Sequence, residues 1–537
     1  MDFATAKIAS IYNKLTKYQK ISIISALIAG FFAHGYAMGN NYIYHDATIL
    51  NGLGTTFGLG RWALGFMGLI FDRILGNYNL PFFNVLVSIL FISASAAVVT
   101  KTLRVKSDFI SAFIGAIFAV YPVVTSTFAY NFSATFYFLA LFLAVASISQ
   151  IAESYISEKE HIKNYVVAVV LLTLSAGFYQ AYLSVAVTLA LSVIMLDLVT
   201  GNRRADDNAT SSKNSELSFV IFKGIGFIAT FIVSLVLYLI INKISTAIMK
   251  PPATGYQGAE NMGALNLARI PSRFVQTYLH FFYIKWNGIN AATCMWVFIV
   301  AFIGIAAIII IVSLVKRRVA PANLILFILA IAVMPIAVNL VYLMSTDDNF
   351  SIHTLMRYAT VFVLITPVVL VDALTRDNED GTKGICKLIP ACPVLLTVIT
   401  LCYIYANNVA YIKMNLVQEE MNAFFTVLEA RICETEGYND NMPVTFYGEY
   451  NIVDDKLTDI NEVYKDTVIL GYEYNARELI NRESWKNYMK YHVGFAPEVI
   501  DMPGSVLESE DFADLQVYPD AGSIKIIDGI VTVKLSE

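Results

Sequence analysis

The first residues of this chain that could do chemistry lie in a polar, glycine-rich stretch between two apolar runs. Asn40-Asn41-Tyr42-Ile43-Tyr44-His45-Asp46 is followed by Gly52, Gly54, Gly58 and Gly60, and then by Arg61-Trp62. A carboxylate within reach of a substrate hydroxyl can act as a general base. A guanidinium offers paired N–H donors that fit a phosphate. Asp46 is therefore a candidate base and Arg61 a candidate phosphate ligand. A plainer reading fits the same spacing: Asp46 caps a helix and Arg61 anchors to lipid headgroups. After Arg61 the run from Trp62 to Leu75 is amphipathic, and its Trp, Phe and Leu suit a helix lying in a membrane interface.

Two further loops carry polar groups. Gly177-Phe178-Tyr179-Gln180-Ala181-Tyr182 offers aromatic and amide groups that could stack on or hydrogen-bond to a sugar; an interfacial aromatic belt would look the same. Asp347-Asp348-Asn349-Phe350 precedes His353, Met356, Arg357 and Tyr358. The Asp347–Asp348 pair could ligate a divalent cation, and Arg357 at a helix start could meet a phosphate. The bland alternative is a solvated turn and an interfacial arginine. Residues 264–284, with Arg269, Arg273 and His280, have the periodicity of an amphipathic surface helix, and Trp286 follows just beyond.

The elements that must position these residues are apolar. Of 537 residues, 57% are hydrophobic and only 15% charged, against about 25% charged in soluble domains. Eleven runs read as membrane spans: 21–38, 80–99, 108–125, 131–150, 165–178, 182–199, 219–242, 293–315, 321–344, 358–374 and 388–406. The fifth is short. Amides in lipid must pair within their own segment, so each run is expected to be a helix. A cleaved signal peptide would usually be shorter than the first run and end at a small-residue site, so the run reads as a retained span.

Charge sets the expected orientation. With the N-terminus inside, the inner segments hold about 18 Lys and Arg and the much longer outer loops about 8. An odd number of spans then places the C-terminal tail outside, with the polar loops named above. Ionisable residues inside the spans are nearly absent. Asp197, Lys223 and Asp372 fall near inner helix ends, where a side chain can reach water. A net charge of -5 without a basic block gives no reason to expect nucleic acid. The five cysteines show no metal or disulfide spacing.

Composition changes near Asn407, dividing the chain into a membrane domain (1–406) and a tail (407–537). Residues 408–434 have helical apolar periodicity. Pro443 to Tyr447 and Ile524 to Val533 read as strands, so the tail is expected to be a small α/β domain. No internal repeat of the kind many transporters carry is evident.

The segments Tyr44-His45-Asp46 and Gly60-Arg61-Trp62, the Tyr179-Gln180-Ala181 loop and the helix leading into a small outer domain resemble the bacterial O-antigen glucosyltransferase family, Gtr type II, of the GT-C class. The resemblance implies a multi-span enzyme of the bacterial cytoplasmic membrane with an extracytoplasmic active site. It implies a polyprenyl-phosphate-linked sugar donor, a cell-surface glycan acceptor and a catalytic acid in the first outer loop, here Asp46. His45 stands where other members often carry a second acid, so a two-carboxylate or metal role is not implied there. His45, Arg61, Tyr179, Gln180, His353 and Arg357 are the expected substrate-binding residues. No cofactor is required; a divalent cation on Asp347 and Asp348 is optional. Two other readings are a glycolipid flippase, which predicts a polar central cavity and paired repeats, and a non-enzymatic scaffold of the cell envelope.

Overall fold

The computed structural model describes residues 10, 12–41, 53–74, 76, 79–154, 161–200, 213–251, 269–282, 293–344, 352–376, 387–448, 450 and 482–537. Among them, ten helices are long and apolar enough to cross a membrane, and the chain is a polytopic helical membrane protein. All eleven expected spans coincide with helices. The helices are α1 (Lys17–Gly39), α2 (Trp62–Ile74), α3 (Pro81–Thr102), α4 (Asp108–Val120), α5 (Pro122–Phe128) and α6 (Asn131–Ser154). They continue with α7 (His161–Phe178), α8 (Leu183–Thr200), α9 (Lys213–Met249) and α10 (Ile270–Phe282). The last are α11 (Thr293–Arg317), α12 (Pro321–Val338), α13 (Leu340–Met344), α14 (Phe362–Thr375) and α15 (Ala391–Cys433). The short fifth span is α7. The run expected at 321–344 breaks at Asn339, into α12 and α13.

The described residues form two compact units, divided within α15 between Asn408 and Val409. In the first, α1 packs on α3 and α4, and α6 packs on α3 and α7. Gly115 permits one of these contacts: a Cβ there would lie 2.1 Å from the Ser22 carbonyl oxygen.

The span over 108–128 is interrupted, and the interruption is capped from three sides. Tyr121 is extended and Pro122 opens α5, so the last carbonyls of α4 lose their helical donors. Val124 N–H donates to the Tyr121 carbonyl instead of continuing the ladder. Three side chains take over. Tyr358 Oη donates to the Phe118 carbonyl, His34 Nε2 lies 2.7 Å from the Ala119 carbonyl, and Asn407 Nδ2 donates to the Val120 carbonyl at 2.7 Å. Asn407 Oδ1 also accepts from Thr125 at 2.9 Å. Each carbonyl in this buried place therefore has a partner, as lipid-exposed or buried backbone requires.

Asp197 and Lys223 do not reach water as expected. Asp197 is buried and accepts from Arg104 and, at 2.9 Å, from Lys223, whose side chain is 4% exposed. Burial was possible because opposite charges on α8, α9 and the turn after α3 meet. Asp372 pairs with Arg376 one helical turn on and stays partly exposed.

In the second unit the C-terminal part of α15 carries Phe424 and Phe425, which pack on Trp485 at ring distances of 5.2 and 5.0 Å. Strands β1 (Val444–Tyr447), β2 (Ile524–Ile527) and β3 (Ile530–Lys534) form one sheet in the order β1-β3-β2. β1 runs parallel to β3, and β2 is antiparallel to it. Val506, Phe512, Leu515 and Ile527 form a small core beside the sheet.

Candidate functional site around Arg61

Arg61 sits between a 3-10 turn, Leu53–Leu59, and the first residue of α2. Two close packings hold this segment. Gly65 faces the Phe57 ring, where a Cβ would lie 2.6 Å away. Gly177, near the end of α7, faces Trp62, where a Cβ would lie 2.6 Å from the indole. Trp62 and Leu64 are buried, so Trp62 is not the interfacial side chain expected of it. The exposed apolar face of α2 is carried by Phe66, Ile70 and Ile74.

The backbone before Arg61 is held as tightly. Gly60 has a φ of 71°, the left-handed region that glycine enters without strain. Its carbonyl accepts from Tyr238 Oη at 3.1 Å, and the Leu59 carbonyl accepts from Gln180 Nε2 at 3.0 Å. Gln180 Nε2 also donates to Tyr238 Oη at 2.9 Å. Both N–H bonds of the amide and the phenol proton are thus assigned.

The guanidinium of Arg61 then lies over two rings. Its Nη1 donates to Tyr137 Oη at 2.8 Å, and its carbon is 5.6 Å from the Tyr137 centroid and 5.1 Å from that of Tyr179. The two tyrosines stack at 4.2 Å. Arg61 is partly exposed, while Tyr137 and Tyr179 are buried. A cation fixed on aromatic faces keeps its charge and loses little further freedom when an anion binds.

From Tyr179 an aromatic series continues through Tyr182 at 5.3 Å to Tyr358 at a further 6.0 Å. Arg357, next to Tyr358, is 7% exposed and donates to the His280 carbonyl at 3.3 Å. His280 stacks on Tyr342 at 4.2 Å. Burial, and then the charge of Arg357, lower its pKa below 6.5. Helix α10, expected from periodicity, thereby packs on α13 and covers Arg357. His353 is buried at the start of the short turn that leads to Arg357.

Arg61, Tyr179 and Gln180 are thus brought together, and tyrosine rings connect them to Tyr358, the neighbour of Arg357. Asp46, His45, Asp347 and Asp348 lie outside the described residues. Among the described residues, no group of three or more His, Cys, Asp or Glu side chains is placed to hold a metal ion. Tyr137 and Tyr238 escaped the sequence reading. Each is a tyrosine within an apolar run, and the one available signal is that a buried phenol needs a partner.

The site is thus a cation held on tyrosine faces within a membrane bundle. The family model described as Glucosyl transferase GtrII matches residues 35–364, and the chain belongs to that family. No curated protein and no solved structure matches it. The chain is accordingly a membrane glucosyltransferase, with a sugar donor and a glycan acceptor as its substrate classes.

Proposed function

We propose that this glucosyltransferase takes glucose from a polyprenyl-phosphate carrier and transfers it to a cell-envelope glycan on the extracytoplasmic face of the bacterial cytoplasmic membrane. The observation that supports this most is the Arg61 guanidinium, held on Tyr137 and Tyr179 in the same stretch of sequence as Asp46. In this reading Arg61 and Arg357 bind the phosphate. His45, Tyr179, Gln180 and His353 line the donor and acceptor sites. Asp46 takes the proton of an acceptor hydroxyl as its oxygen attacks the anomeric carbon. The bond from that carbon to the phosphate oxygen breaks, and polyprenyl phosphate leaves with its charge met by arginine. One displacement inverts the anomeric configuration. Asp347 and Asp348 could add a divalent cation without being needed for the proton transfer. The tail, if outside as the loop charges predict, is where the acceptor glycan would be met.

The test uses the purified full chain, polyprenyl-phosphate glucose labelled in the sugar, and envelope glycan from the source cell as acceptor. Asp46→Asn is expected to lower kcat by about 10²-fold or more. Arg61→Ala is expected to raise the donor KM. Undiminished activity in Asp46→Asn would remove the base, and transfer only from a nucleotide-linked sugar would remove the donor.

A further inference from the structure

We infer that Tyr238 and Gln180 are positioning residues that fix Arg61 for its ligand. The inference rests on the reading of Arg61 as the phosphate ligand; it adds Tyr238 and gives Gln180 a second role, with neither touching the phosphate. Tyr238 lies on α9 and is 2% exposed. In the middle of an apolar span its hydroxyl could have pointed anywhere the bundle allows. It donates to the Gly60 carbonyl, the peptide that joins Gly60 to Arg61. It accepts from Gln180, whose second N–H holds the preceding carbonyl.

The arrangement constrains two consecutive peptides, one on either side of a glycine. Gly60 has no Cβ to limit its dihedral angles, and its left-handed conformation is one of several it can occupy. Without the two bonds, rotation about Gly60 would swing the Arg61 side chain off the Tyr137–Tyr179 stack. With them, the guanidinium is held before any ligand arrives, and little ordering cost remains to be met on binding. The Arg61 N–H to Thr56 carbonyl bond and the seat of Trp62 on Gly177 complete the hold from the other side.

Two measurements on the full chain in lipid nanodiscs test this. The first is equilibrium binding of radiolabelled polyprenyl-phosphate glucose. Tyr238→Phe removes one oxygen and no packing volume, and it should weaken binding about 3–10-fold, the worth of one net hydrogen bond. Gln180→Leu should do at least as much. In an Arg61→Ala background Tyr238→Phe should cost nothing more, because its effect passes through the missing side chain. A Tyr238→Phe loss that persists in full beside Arg61→Ala overturns the inference. Arg61→Ala with unchanged affinity removes the phosphate reading instead. The second measurement does not depend on that reading: the rate at which phenylglyoxal modifies Arg61, followed by peptide mass spectrometry. The rate should rise in Tyr238→Phe and Gln180→Leu as the guanidinium leaves the tyrosine stack. Equal rates in wild type and both variants overturn the positioning role whatever Arg61 binds.

Discussion

Replacing Asn407 by leucine should damage this protein far more than making the same change one residue later. Asn407 is fully buried, and its amide does two jobs. It caps the Val120 carbonyl, whose helical donor Val124 N–H has gone to Tyr121, and it accepts from the Thr125 hydroxyl. Leucine does neither. A buried carbonyl and a buried hydroxyl are left unmatched, at about 1–3 kcal/mol each, so the total is about 2–6 kcal/mol. Asn408 also donates to two carbonyls, of Phe32 and Ile404. Both lie inside uninterrupted helices, α1 and α15, so helical N–H groups still serve them when the amide goes. Its loss should cost about 0.6–1.5 kcal/mol, the net worth of a hydrogen bond in a membrane protein. Reversible unfolding of each variant in mixed micelles gives the two free energies directly. Equal costs at the two positions, or a cost under about 0.5 kcal/mol at Asn407, would refute the account of the broken helix.

Three other outcomes follow from contacts described above. Gly177→Ala places a methyl group 2.6 Å from the Trp62 indole; the ring must retreat by about 1 Å, with a stability loss of about 1–3 kcal/mol. Because Trp62 is bonded to Arg61, glucosyl transfer should fall by up to about 10²-fold, as initial rates would measure. Stability should fall as pH drops below 6.5, since His280 binds its proton more readily unfolded than folded beside Arg357; His280→Gln should flatten that part of a thermal-unfolding profile against pH. Trp485→Ala empties the space between Phe424, Phe425 and Phe446 in the second unit and should cost about 3–5 kcal/mol, read as earlier cleavage of the tail by added protease.

The helices were legible because lipid enforces them: an apolar run of spanning length has one way to pair its amides. Their interruptions were less so. Tyr121-Pro122 lies within one expected span, and Asn339 within another. The three caps of α4 come from positions 34, 358 and 407, far apart in the chain. Asp197 and Lys223 look like residues reaching for water when each is read on its own helix; only packing reveals that they face each other. In the candidate site, Arg61, Tyr179 and Gln180 were visible as polar groups in loops. What Gln180 holds was not, because its partners are main-chain carbonyls, which every residue has. Tyr238 is one aromatic among many in a span, and Trp62 looked like an interfacial anchor until the bare face of Gly177 provided its seat.

The buried Asp197–Lys223 pair bears on how the bundle is made. A single carboxylate or ammonium group in a lone helix costs about 2.5–3.5 kcal/mol at the bilayer centre, and less toward either surface. If α8 and α9 entered lipid one after the other, each would carry its own charge unmatched. Entering together as a hairpin, they present a neutral pair, with Arg104 closing it at the end of α3. The unit of insertion is then the two-helix hairpin, and removing Asp197, which leaves Lys223 and Arg104 facing each other, should impair assembly more than removing Lys223, which leaves Asp197 its Arg104 partner.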